Sequence, residues 1–100
     1  EKRLEPQTEH TLFMLVQEAI TNALKHANAS EILVFFNEKN GQINVTIEDD
    51  GIGFDSMNIK DGLGLKNMFF RVKEQLKGNI SIESTLSKGT TIAIKFHRNG

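Results

Sequence analysis

Glu18, Asn22 and Lys25 follow one another at steps of four and three residues, so on an α-helix they fall within roughly 60° of one another. A carboxylate, an amide oxygen and an ammonium in one strip can hold a hydrated Mg²⁺ and its phosphates, because magnesium takes hard oxygen ligands, keeps several waters and shares its site with phosphate. A solvated helix face offers the same trio, and taken alone that plainer reading is the stronger. The run Glu48-Asp49-Asp50-Gly51-Ile52-Gly53-Phe54 sets carboxylates at a strand end beside two glycines, whose bare backbone lets a ligand come close. A carboxylate there can accept from a buried donor such as an exocyclic amine. Asp-Asp-Gly also makes an ordinary solvated turn, and the two readings weigh evenly. No helix opens at these glycines and no Gly-Lys-Ser/Thr follows, which excludes a dinucleotide fingerprint and a P-loop. Gly62-Leu63-Gly64-Leu65 stands at a helix mouth, where N–H groups and the helix dipole favour an anion; a hinge reads equally well. Gly89-Thr90-Thr91 opens a strand, a position where a β-branched hydroxyl is more often structural.

The elements that must position these residues are legible in the hydrophobic pattern. Leu12, Val16, Ala19, Ile20, Ala23 and Ala27 recur at three- and four-residue steps, which predicts an amphipathic helix over about 8–27 with Thr8 as N-cap candidate. Pro6 precedes it, where proline is tolerated. Strands are predicted over 31–37 and 42–49, the second alternating through Ile43, Val45 and Ile47, with Asn40-Gly41 between them as a hairpin signal. A polar, glycine-bearing stretch over 50–62 leads to a second helix over about 63–77, with Leu65, Met68, Phe69, Val72 and Leu76 inward and Gly78 as C-cap candidate. Two more strands follow, around a turn at Ser87-Lys88-Gly89. Paired strands with helices between them predict an α+β sandwich: a mixed, mostly antiparallel sheet with helices on one face.

Composition sets the outer limits. A chain of 100 residues suits one domain, over 1–100. It begins at Glu1-Lys2-Arg3 without Met and reads as a piece of a longer protein. The apolar fraction of 38% and the charged fraction of 25% are ordinary for a globular protein, and the net charge of −1 offers no general attraction to nucleic acid or anionic lipid. Cysteine is absent, which excludes disulfides and thiolate metal sites and fits a reducing compartment. No apolar run approaches the roughly 18 residues of a membrane span.

The order of the four stretches is far more specific than any one of them. Gln17-Glu18-Ala19-Ile20-Thr21-Asn22-Ala23-Leu24-Lys25-His26-Ala27 resembles the N box of histidine kinases. Asp49-Asp50-Gly51-Ile52-Gly53 resembles their D-x-G-x-G box, Gly62-Leu63-Gly64-Leu65 their G-x-G-L box, and Gly89-Thr90 their closing G-T element. The resemblance covers nearly the whole chain and points to the superfamily shared by DNA gyrase, the ninety-kilodalton heat-shock chaperones, MutL and the histidine kinases. Gly64-Leu65-Lys66-Asn67-Met68 followed by Arg71 is similar to the G-L-x-x-M-x-x-R signature of sensor kinases that pair with NarL-type response regulators. The short loop between the glycine boxes fits that group.

The resemblance implies a Bergerat-type ATP-binding fold and a catalytic domain that binds MgATP and phosphorylates a histidine on a separate helical dimerisation domain. It implies that Asn22 ligates Mg²⁺, that Glu18 holds a metal water or helps activate the acceptor, and that Lys25 contacts phosphates. Asp49 would accept from the adenine amino group with Thr90 in support. Gly51 and Gly53 would admit the base, and Gly62, Gly64 and Leu65 would frame the phosphates under a lid. His26 matches the pattern, either at the ligand edge or in packing. His10, His26 and His97 all lack the context of the phosphorylated histidine, which the family carries elsewhere. Only residues 1–4 and Glu5 precede Pro6, short of the family's usual first strand, which would leave a sheet edge less covered. The chain by itself would be monomeric, its parent a homodimeric kinase, membrane-anchored or not, with this portion cytoplasmic. The rival functions are an ATP-hydrolysing conformational domain of the gyrase, MutL or chaperone type and an anti-sigma-factor serine kinase.

Overall fold

The computed structural model describes residues 4–53 and 64–98. Helix α1 spans Pro6–Thr21 and runs on through a π-helical turn, Asn22–His26; strands β1 (Ile32–Lys39) and β2 (Gln42–Asp49) follow. Helix α2 (Leu65–Phe70) also continues into a π-helical turn, Arg71–Gln75, before β3 (Asn79–Thr85) and β4 (Gly89–His97). The strands form one sheet in the order β1-β2-β4-β3, and all three ladders among the described residues are antiparallel. The expected α+β architecture is what the structure shows, with the expected mixed character resolved to antiparallel.

The start and the buried face of α1 differ from the sequence expectation. The helix starts two residues earlier than Thr8, with Glu5 as N-cap and Pro6 at the first helical position, because proline's fixed φ suits a site whose N–H has no intrahelical partner. Of the expected stripe, Ala19, Ala23 and Ala27 are buried and Leu12 and Val16 pack against the core, while Thr11 and Leu15, outside that stripe, are the most deeply buried residues of the first turns. Thr11 is polar and so was invisible to the apolar count. Its hydroxyl is buried because it donates to Gln75 Oε1 at 3.1 Å, which joins α1 to the end of α2.

The core lies between the helices and one sheet face. Leu15 and Ala19 from α1, and Leu65, Met68, Val72 and Leu76 from the α2 segment, pack on Ile43, Val45 and Ile47 of β2 and Ile92, Ile94 and Phe96 of β4. Register explains the match: Val45 pairs with Ile94 and Ile47 with Ile92, so apolar side chains form rows across the strands. The β1–β2 turn at Asn40-Gly41 has positive φ at both residues, 55° and 80°, the type I′ geometry that the pair favours. β1 lies at the sheet edge, and its Leu33, Val34, Phe35 and Phe36 are 42–57% exposed.

Candidate functional site

At one end of the sheet the apolar rows give way to a polar one. After Val45–Ile94 and Ile47–Ile92, the next pair in the β2–β4 register on that face is Asp49–Thr90. Ser84 of β3 continues the row opposite Thr90, with 2.8 Å between the two hydroxyl oxygens. This polar row borders a cavity of about 170 Å³. The described residues that line it are Ala19, Asn22, His26 and Ala27 from the first helix and its end, Asp49, Ile52 and Gly53 from the end of β2 and the loop beyond, Leu65 from the mouth of α2, and Thr90 and Ile92 from β4. Pockets that enclose drug-sized ligands run to roughly 300–1,000 Å³, so this one suits a single ring system better than a whole triphosphate.

The loop after β2 is held from both sides. The helix end supplies one anchor: Asn28, in the left-handed region at φ 51°, ends α1 in a Schellman-like cap, with the Ala27 N–H on the Asn22 carbonyl and the Ala29 N–H on the Ala23 carbonyl. That arrangement leaves the Ala27 carbonyl to accept from the Ile52 N–H at 2.8 Å. A Cβ on Gly51 would stand 2.5 Å from the same carbonyl oxygen, so only glycine permits this approach. On the other side Ser87 N–H donates to the Ile52 carbonyl at 2.6 Å. Gly53 has a φ of +66°, and a Cβ there would stand 2.3 Å from the Thr85 carbonyl oxygen.

The sequence offered two adjacent carboxylates, and the structure gives them different surroundings. Asp49 faces the cavity and accepts from the Gly51 N–H at 2.8 Å through Oδ1. Asp50 is exposed and clamps the loop before β1: it accepts from Ser30 Oγ at 2.6 Å, from Ser30 N–H at 2.8 Å and from Glu31 N–H at 2.9 Å. The Ser30 hydroxyl first, and then the two N–H groups, hold the Asp50 carboxyl below the usual aspartate range. Asp50 therefore fixes the segment between α1 and β1 against the end of β2, while Asp49 remains at the cavity wall.

Of the residues singled out in the sequence, Asn22, His26, Asp49, Gly53, Leu65 and Thr90 line one cavity. Glu18, one turn before Asn22, sits against the mouth of α2, where a Cβ on Gly64 would stand 2.6 Å from Glu18 Oε2. Lys25 is exposed and outside the lining, and Gly51 is buried behind it. Gly62 and its neighbour Leu63 lie outside the described residues. Sequence reasoning did not single out Ile52, Ile92, Ala19 or Ala27 as lining residues: helical spacing marked the two alanines, strand alternation marked Ile92, and Ile52 fell in the glycine-bearing stretch; Ser84 gave no signal. The donor set suits a hard cation: the Asn22 Oδ1 is buried at the cavity, and the Glu18 carboxylate belongs to the preceding turn. An amide oxygen and a carboxylate are the hard oxygen donors that magnesium takes together with water and phosphate; among the described residues no three His, Cys, Asp or Glu side chains gather as a metal cage. Among the described residues, no helix is long and apolar enough to cross a membrane.

The family of histidine kinase-, DNA gyrase B-, and HSP90-like ATPases matches residues 7–100. The signal transduction histidine-protein kinase/phosphatase DegS of Bacillus subtilis (strain 168) is 40% identical over 99 residues, which cover 95% of this chain and 26% of that protein. An uncharacterized sensor-like histidine kinase of Chloroflexus aurantiacus is 39% identical over 99 residues, 92% of this chain and 16% of its own length. The chain thus spans about a quarter or less of these curated relatives. Among solved structures, the blue-light activated histidine kinase of Erythrobacter litoralis EL346 superposes with a TM-score of 0.77 at 26% identity, over 95% of this chain and 32% of that one. The ATP binding domain of PrrB from Mycobacterium tuberculosis shares the fold, with a TM-score of 0.70 at 21% identity over 89% of this chain and 68% of that one.

Proposed function

The chain belongs to the histidine kinase-, DNA gyrase B-, and HSP90-like ATPase family, and from that premise we propose that it binds MgATP and passes the γ-phosphoryl group to a histidine on a separate helical dimerisation domain, as the catalytic part of a two-component sensor kinase. One observation carries the reading: Asn22, Asp49, Gly53, Leu65 and Thr90, from two helices, a loop and two strands, converge on one cavity sized for a ring system. In this reading the adenine enters that cavity. Asp49 accepts from the adenine amino group, Thr90 supports it, and Leu65 and Ile92 supply apolar contact for the ring. Gly51 and Gly53 keep the loop close enough for the base to fit.

The triphosphate then lies outside the cavity, towards the mouth of α2. Gly64 offers bare backbone there, and the exposed Lys25 supplies a cation. Asn22 holds Mg²⁺ through its amide oxygen, and Glu18 holds a metal-bound water or assists the acceptor histidine. Bound Mg²⁺ supplies charge neutralisation at the phosphate oxygens. His26 contacts the ligand edge. In the transfer, the bond from the γ-phosphorus to the β,γ-bridging oxygen breaks, a bond from an imidazole nitrogen to phosphorus forms, and ADP leaves. That chemistry asks for alignment and charge stabilisation more than covalent help, which matches a site built of backbone, an amide and carboxylates. Gly64-Leu65-Lys66-Asn67-Met68 with Arg71 supports a NarL-type response regulator downstream. We place this portion of the kinase in the cytoplasm, monomeric alone and homodimeric through its parent.

The test is transfer from γ-labelled ATP to a separately made helical histidine domain. Acid-labile phosphohistidine that requires both proteins is the expected product. Acid-stable phosphoserine on a protein acceptor would instead support a serine kinase, and phosphate release on self-association would support a conformational ATPase.

A further inference from the structure

Ser84 is absent from the cavity lining, yet it is in hydrogen-bond contact with Thr90, which lines it. It is buried, 9% exposed, and so is Thr90 at 8%. The two are register partners across the β3–β4 ladder, with 2.8 Å between Oγ and Oγ1. The Ser84 hydroxyl also donates to the Gly89 carbonyl oxygen at 3.3 Å. A hydroxyl has one proton to give and two lone pairs to accept with. With the Ser84 proton on Gly89, the short contact is made by the Thr90 proton, donated to Ser84 Oγ. Thr90 Oγ1 then turns lone pairs, and no proton, to the cavity.

On the other flank of Thr90, Asp49 presents a carboxylate, which can only accept, and the Gly51 N–H already engages its Oδ1. The polar end of the cavity is therefore an acceptor beside an acceptor. An amino group matches that pattern, directly or through a water. A carbonyl oxygen placed between Asp49 and Thr90 meets two sets of lone pairs.

We propose that Ser84 is a positioning residue: by taking the Thr90 proton it sets the cavity to accept a purine with an amino group at position 6 and to reject one with an oxo group there. The inference rests on the reading of this cavity as the base site of a nucleotide. Ser84→Ala frees the Thr90 hydroxyl to rotate and to donate into the cavity, where a 6-oxo oxygen can receive it.

The measurement is the ratio of inosine triphosphate to ATP dissociation constants, by isothermal titration of the chain with Mg²⁺ present. A ratio of two constants is insensitive to the fraction of protein that is folded. Ser84→Ala is expected to lower it about threefold to tenfold, the net worth of one hydrogen bond. Ser84→Cys, nearly isosteric but a weak donor and acceptor, reads the same relationship if the alanine variant does not fold. In a Thr90→Val background the Ser84 substitution should change nothing further. Equal weakening of both nucleotides, with the ratio unmoved, would overturn the proposal, as would a shift that persists without the Thr90 hydroxyl. If the unsubstituted chain binds neither nucleotide, the base-site reading itself falls; if it binds ATP and only the ratio fails to move, the role of Ser84 alone is withdrawn.

Discussion

Asp49 and Thr90 are partners across the β2–β4 ladder, on the same face as the core pairs Ile47–Ile92 and Val45–Ile94. The site is thus the next rung of the row that packs the core. A slip of one residue in either strand would carry the carboxylate or the hydroxyl to the opposite face. Core packing, by fixing register, also fixes the polar pair.

Asn22 gives the first prediction. Its Oδ1 is buried at the cavity, in the π-helical turn that ends α1. Asn22→Ala should reduce ATP affinity in Mg²⁺ to about the value measured with EDTA, while the affinity without metal changes little. Titrations under both conditions check this; a variant that keeps its full response to Mg²⁺ removes Asn22 from the metal site.

Gly53 gives the second. Any Cβ there meets the Thr85 carbonyl oxygen, and the positive φ adds strain for an L-residue. Gly53→Ala should cost about 1–3 kcal/mol of stability, visible in urea unfolding, and should weaken ATP binding through displacement of the loop. A variant with unchanged stability and affinity would show that the loop tolerates a different path.

Asp50 gives a prediction with a defined pH dependence. Its folded-state carboxyl is held below the ordinary aspartate range, first by the Ser30 hydroxyl and then by the Glu31 and Ser30 N–H groups. A depressed folded pKa means that the unfolded chain binds the proton more readily. The stabilisation is therefore fully present above the unfolded value, about 3.9, and is lost as pH falls through the lower folded value. Asp50→Ala should be less stable than the parent at pH 7, with a gap that narrows below about pH 4. A gap constant down to pH 2 would mean that the clamp does not depend on the charge.

Much of this was legible in the sequence because it is local or periodic. Alternation through Ile43, Val45 and Ile47 gave β2 its bounds, and Asn40-Gly41 gave the hairpin its turn. Order and type of elements followed from pattern alone. What was not legible depends on who stands across from whom. The partner that lets Thr11 be buried, Gln75, is 64 residues away. Asp49 and Asp50 are alike in composition, and only strand parity with the Ser30–Glu31 loop separates a cavity wall from a clamp. The second helix ends with Lys77, not glycine, at positive φ, 55°; Gly78 is glycine because a Cβ there would lie 2.3 Å from the Lys95 carbonyl oxygen. Ser84 carries no periodic or motif signal; only the β3–β4 register sets it against Thr90.

The account stands most directly on the contact between Asp49 and the base. Isothermal titration of MgATP into the chain and into Asp49→Asn measures it. Asparagine keeps the shape but replaces one acceptor with a donor, so the loss of a hydrogen bond to a charged group should weaken binding roughly 10- to 100-fold. An affinity for MgATP that is the same in both proteins would contradict the assignment of this cavity as the adenine site.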